Sequence, residues 1–252
     1  MPDRTPTIGE DRFEQYLNGM GYPFEYEREY PGKSKRPDYT VTKDGVFLFD
    51  VKDFDPNMPR GFMQFDPYIH IRKRIEAGRK KFKEYKEFPC CVVLQNNGNV
   101  FADTEHPNTV LGAMYGDVGF SIPIYVGNGV SPEPRPPIQQ GFMGGAQMLP
   151  NKNTTISALV TLRHIAVGRL RIRKIWQEQP GLSTDDVLEV ARQRFGKDYD
   201  FDEKKQGVIV WENVHARIPL SRSLFTGHAR YGLDGSDLAN IFCGSELAEL
   251  PD

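Results

Sequence analysis

Three residues of this chain have the types and the spacing for phosphate chemistry. Asp50 and Lys52 stand two apart in the apolar stretch VFLFDVKDF (46–54), and Asp38 precedes them in PDYTVTK (37–43). A strand alternates its side chains, so Asp50 and Lys52 leave one face as neighbours, with Val46 and Leu48 further down that face. Phe47, Phe49 and Val51 point the other way and can anchor the strand in a core. A carboxylate and an ammonium at one end of so apolar a strand sit at the rim of a sheet.

Whether Asp38 joins them depends on the turn. A two-residue turn at Asp44-Gly45 leaves Asp38 opposite Val51. A three-residue turn, Lys43-Asp44-Gly45, pairs Thr42 with Val46 and sets Asp38 opposite Asp50. Directly opposed residues share a face, so only the second register makes a two-carboxylate site. A three-residue hairpin with glycine in the left-handed position is common, and Gly45 stands where that residue is needed. The expectation is therefore the second register. Two carboxylates so placed, with a strand carbonyl such as that of Val51, form a hard-oxygen site for Mg²⁺ or Mn²⁺. Such an ion polarises a phosphoryl oxygen and acidifies a bound water. Lys52 can then orient that water or stabilise developing negative charge.

The elements that must position these residues are legible around them. Thr7 and Glu10 have capping-box spacing before a helix to about Met20, with Ile8, Phe13, Tyr16, Leu17 and Met20 on one stripe. FEYEREY (24–30) reads as a half-exposed strand, and the two strands of the hairpin follow. A loop rich in Pro, Gly and Met comes next; its Met58, Phe62, Met63 and Phe65 are expected to pack over the sheet. A helix from about Tyr68 to Glu87 turns Ile71, Ile75, Phe82 and Tyr85 inward, and CCVVLQN (90–96) reads as a buried strand. The order helix, three strands, helix, strand predicts an α/β layered core.

Beyond residue 97 the pattern is looser. FSIPIYV (120–126) reads as a strand and 131–150 as a long Pro- and Gly-rich loop. ISALVTLR (156–163) suits strand or helix. Arg169–Gln179 and Thr184–Phe195 read as helices, the second capped by Ser183 or Thr184, and 207–220 has strand composition. The expected organisation is a core over 1–130, a loop over 131–150 and a mixed α/β extension over 151–252 that can share the core's sheet.

Pro37-Asp38, then eleven intervening residues, then Asp50-Val51-Lys52 in an apolar strand resemble the signature of the PD-(D/E)xK nuclease superfamily. The stretch from Gly9 to Tyr22 is similar to the first helix of that restriction-endonuclease-like fold, whose acidic residue often completes the metal site. The resemblance makes Glu10 that residue, with Glu14 one turn along as the alternative. It further implies phosphate contacts from the second helix, through Arg72, Lys73, Arg79 and the run Lys80 to Lys83. It covers about the first two-fifths of the chain. What it implies is a metal-dependent endonuclease acting on nucleic acid, DNA foremost, of a kind found in prokaryotic defence. A homodimer would supply a second active site for the second strand. The alternative is a nuclease-like module that binds nucleic acid or a partner protein without cutting.

Composition bounds this reading. The net charge of -2 excludes a global polycation, but 71–87 carries eight Lys or Arg against three Glu, enough for a local phosphate-holding face. No apolar run is long enough to span a bilayer, no secretory leader is evident, and three cysteines make no disulfide framework. The expected setting is cytoplasmic and free of membrane. The five histidines are scattered without metal-ligand spacing, Cys90 and Cys91 read as core, and Asp53 and Asp55 as turn residues. Other [DE]-x-K triplets, at Glu84-x-Lys86, Asp202-x-Lys204 and Glu203-x-Lys205, fall in polar surroundings.

Overall fold

The computed structural model describes residues 4–56, 66–121, 139–142, 144–226 and 228–233. The Met- and Phe-rich stretch 57–65, residues 122–138 and the acidic C-terminus lie outside them, as do the expectations made there. The fold is mixed α/β, with a mixed sheet of seven strands among the described residues. Among the described residues no helix is long and apolar enough to cross a membrane.

Helix α1 (Ile8–Gly19) opens on the predicted box: Thr7 accepts from the Glu10 amide while Glu10 accepts from the Thr7 amide. Phe13, Tyr16 and Leu17 are buried, but Ile8 is 55% exposed and leaves the expected stripe. Strand β1 covers only Phe24–Tyr26, because Glu27 turns to a φ of +45° and ends it. Strands β2 (Tyr39–Thr42) and β3 (Val46–Phe54) form the hairpin. Thr42 pairs with Val46 and Tyr39 with Phe49, so the three-residue turn is the one adopted. The left-handed position nevertheless falls on Asp44 (φ +50°), and Gly45 takes φ +151°.

Helix α2 (Ile69–Phe82) leads into β4 (Cys90–Asn96), which pairs in parallel with β3 and sets Asp50 beside Val92. Helix α2 ends one turn before the expected Glu87. Gly78 is why it can lie so close to the sheet: a Cβ there would meet Val92 Cγ2 at 2.4 Å. Helix α3 (Pro107–Tyr115) was not expected. Val110 through Tyr115 are all buried, so it shows no polar face from which a helical period could be read. Strands β5 (Val118–Ser121) and β6 (Gln139–Phe142) pair antiparallel; β6 and the buried Met148 replace part of the expected loop.

Strand β7 (Ile156–Ala166) resolves the strand-or-helix ambiguity at 156–163 and pairs in parallel with β4. After helices α4 (Val167–Glu178) and α5 (Thr184–Phe195) come β8 (Lys204–Glu212) and β9 (Ala229–Tyr231). The sheet order is β1-β2-β3-β4-β7-β8-β9. Residues 163–207 make a compact unit of their own, a helical hairpin closed by Ile172, Ile175, Val187 and Ala191. The other unit joins 1–162 to 208–252.

Within that larger unit the sheet has two apolar faces. Leu48, Val92 and Leu94 pack with Ile71, Ile75 and Phe82 of α2. Phe47, Phe49 and Val51 pack with Phe13, Tyr16 and Leu17 of α1. The period-2 reading of β3 is therefore realised residue by residue, with Asp50 and Lys52 on the α2 face.

Candidate active site

The observed register continues one step beyond β2 to bring Asp38 opposite Asp50. Alternation in an antiparallel pair explains how they meet. Odd-numbered residues of β3 direct their backbone groups toward β2, and even-numbered ones toward β4. The Val51 amide accordingly has no β2 residue left to bond; it donates to Asp38 Oδ2 at 2.7 Å. In an extended strand the carbonyl of a residue points to the same side as its amide, so the Val51 carbonyl is directed to the β2 side of β3 as well.

Asp50 is fully buried. Its Oδ1 accepts from Lys52 Nζ at 2.8 Å and from Lys81 Nζ at 2.7 Å, and Lys81 Nζ also bonds Asp38 Oδ1. Asp50 Oδ2 is buried and has no hydrogen-bond partner among the described residues. An unpartnered buried carboxylate oxygen is costly unless something fills it, so this atom marks a place for a cation or a polar ligand. Burial first, and then the charge of Asp50, push the Asp38 carboxyl up to about 6, although Lys81 and the Val51 amide pull it down. Burial would lower Lys81, but the two carboxylates outweigh it and raise it. The ammonium stays charged.

The structure thus brings together Asp38, Asp50, Lys52 and the Val51 backbone, and adds Lys81. Two carboxylates, one oxygen left free and a strand carbonyl on the same side are a donor set that fits a hard divalent cation. No third acidic side chain joins them: among the described residues no group of three or more His, Cys, Asp or Glu gathers as for a metal. Glu10 and Glu14 are engaged elsewhere. Glu10 accepts from the Thr7 amide at 2.9 Å and pairs with Arg4 at 3.3 Å, while Glu14 holds Arg4 and accepts from Tyr39 Oη at 2.8 Å. Asp53, on the α1 face, accepts from Thr7 Oγ1, the Gly9 amide and Asn97 Nδ2, which pins the helix N-terminus to β3.

The basic residues of α2 divide. Lys73 and Lys83 are exposed, and so is Lys80 at 64%, next to Glu76. Arg79 pairs with Glu76 at 2.5 Å. Arg72 turns inward to the Gly112 carbonyl and Asp117, so its guanidinium serves the junction with α3 rather than a surface. Lys81 was not singled out from its run. Its signal is position: it follows Gly78 by three along the inward stripe Ile71, Ile75, Gly78, Phe82, as Arg74 precedes Gly78 by four. Both reach β3, Arg74 through the Asp53 carbonyl at 2.7 Å. Cys90 and Cys91 are buried free thiols; burial pushes Cys91 up to about 12, which leaves it unreactive.

No family model, no curated protein and no solved structure matches this chain, so its functional reading rests on this geometry and on the resemblance of its motif.

Proposed function

We propose that this chain is a metal-dependent phosphodiesterase of the restriction-endonuclease-like type, an endonuclease whose substrate is nucleic acid and foremost DNA. The observation that carries the reading is the shared ledge of Asp38, Asp50 and Lys52, with the buried Asp50 Oδ2 left unpartnered among the described residues. The order α1-β1-β2-β3-α2-β4 with an antiparallel meander and a parallel fourth strand is the arrangement that the motif resemblance leads one to expect.

Asp38, Asp50 and the Val51 carbonyl would hold Mg²⁺ or Mn²⁺. When bound, such an ion supplies Lewis acidity to a phosphoryl oxygen and an acidified water as nucleophile. The protein's own groups do the rest. Lys52, 22% exposed, sits where its ammonium can hold the attacking water and offset the charge that builds on the phosphate. Lys73, Lys80 and Lys83 face solvent and can follow the backbone, giving salt-dependent affinity with little regard to sequence.

A second reading has its own support. With Lys81 across the pair, two carboxylates face two ammoniums, a neutral cluster that needs no metal to persist. That suits a nuclease-like module that binds nucleic acid or a partner protein without cutting. Incubating plasmid and labelled oligonucleotides with Mg²⁺ or Mn²⁺ separates the two. Cleavage by the wild type and by neither Asp50→Ala nor Lys52→Ala supports the enzyme; retention without cleavage supports the module and overturns the enzyme.

A further inference from the structure

The Lys81 ammonium bonds Asp38 Oδ1 and Asp50 Oδ1 at once, and so fills the space between the two carboxylates. Every carboxylate oxygen of the pair except Asp50 Oδ2 is already bonded, Asp38 Oδ2 by the Val51 amide and both Oδ1 atoms by lysine. A cation that uses both side chains therefore meets Lys81 first. The helix places it there firmly: Lys81 occupies the last turn of α2, and Gly78 one turn earlier lets that helix sit against β4. Its side chain is 20% exposed, so the tip has a way out to the solvent beside Lys80.

We propose that Lys81 is a resident counter-ion of the carboxylate pair which a divalent cation must displace on loading. The proposal rests on the reading of Asp38 and Asp50 as a metal site. Its consequence is a change in the sign of the site. With Lys81 in place, Asp38, Asp50, Lys52 and Lys81 sum to zero and exert little pull on an anion. With a divalent ion held by the carboxylates and Lys81 displaced, the ledge would be net positive and would gain a freed ammonium, so phosphodiester binding would become contingent on metal. The same lysine compensates the buried carboxylates in the metal-free protein.

The test is Mn²⁺ binding to the full chain without nucleic acid, read from the electron paramagnetic resonance of free Mn²⁺. Lys81→Met removes the competitor and is expected to bind Mn²⁺ about tenfold more tightly than the wild type, as removal of one close charge implies. Lys81→Arg presents a fixed fork that grips a carboxylate pair, and is expected to bind about tenfold more weakly. Lys81→Met that binds Mn²⁺ no more tightly than wild type overturns the proposal. Should that variant not fold, Lys81→Arg binding as tightly as wild type, or more so, overturns it alone. Asp50→Asn separates the two levels: Mn²⁺ affinity equal to wild type in that variant refutes the metal reading itself, whereas lost affinity there with unchanged affinity in Lys81→Met refutes only the counter-ion.

Discussion

The two faces of strand β3 carry two acidic groups that are chemically similar and structurally opposite. On the α1 face Glu10, Glu14 and Asp53 are occupied by local work: a capping box, the Arg4 guanidinium, the Tyr39 hydroxyl and the amide of Gly9. On the α2 face Asp38 and Asp50 are held by two lysines, and one buried oxygen of Asp50 has no partner among the described residues. The first group is finished; the second is incomplete, and incompleteness in a buried carboxylate is what points to a ligand. Counting acidic residues near a strand would have ranked the α1 side higher.

The contrast can be broken most forcefully at Asp50. Asp50→Asn keeps the shape but loses the charge, and should reduce Mg²⁺-dependent cleavage by about a thousandfold or more, the scale of removing a principal electrostatic group. Lys52→Met should cost about a hundredfold in kcat while Mn²⁺ binding is retained or tightened, since the variant loses an ammonium that bonds Asp50 Oδ1 at 2.8 Å; loss of Mn²⁺ binding would move Lys52 into a structural role.

A middle-sized effect concerns pH. Asp38 is raised from 3.8 to about 6, so between those values the folded protein retains a proton that the unfolded chain has released. Stability without metal should therefore fall as pH rises through this window, and the fall should vanish in Asp38→Asn when urea midpoints are compared in EDTA. Cation affinity should run the other way, dropping by about tenfold per unit below pH 6 as the Asp38 proton competes.

The smallest effect belongs to the α1 face. Glu10→Gln weakens a capping box and an ion pair and should lower stability by about 1 kcal/mol, with cleavage reduced less than tenfold. A hundredfold loss of cleavage would mean that Glu10 leaves Arg4 to join the site, as the family resemblance implies, and would erase the contrast.

Much of this was readable before the structure. The alternation of VFLFDVKDF sets Asp50 and Lys52 on one face, and the three-residue turn sets Asp38 opposite Asp50; both depend on local chemistry that a sequence displays. The role of Glu10 shows a conflict between two local signals. The Thr7–Glu10 spacing that predicts a capping box also predicts that the Glu10 carboxylate turns back to the Thr7 amide, and the structure takes that side of it. Lys81 was hidden for another reason: in a run of lysines every member looks like surface until the inward stripe through Gly78 is aligned with the sheet. Helix α3 was hidden because its last six residues, Val110 to Tyr115, are buried without a break. The segments NTTISALVTLR and ENVHARIPL, which carry no motif, are pinned to each other, Asn213 Nδ2 donating to the Ile156 carbonyl at 2.8 Å.

The most direct test is a crystal structure of the Mn²⁺-soaked full chain with anomalous data. The account predicts an anomalous peak between Asp38 and Asp50, in contact with Asp50 Oδ2 and the Val51 carbonyl, with the Lys81 ammonium moved away. A saturated soak that leaves Lys81 bridging the pair and shows no peak there, or a peak at Glu10 and Glu14 alone, would contradict it.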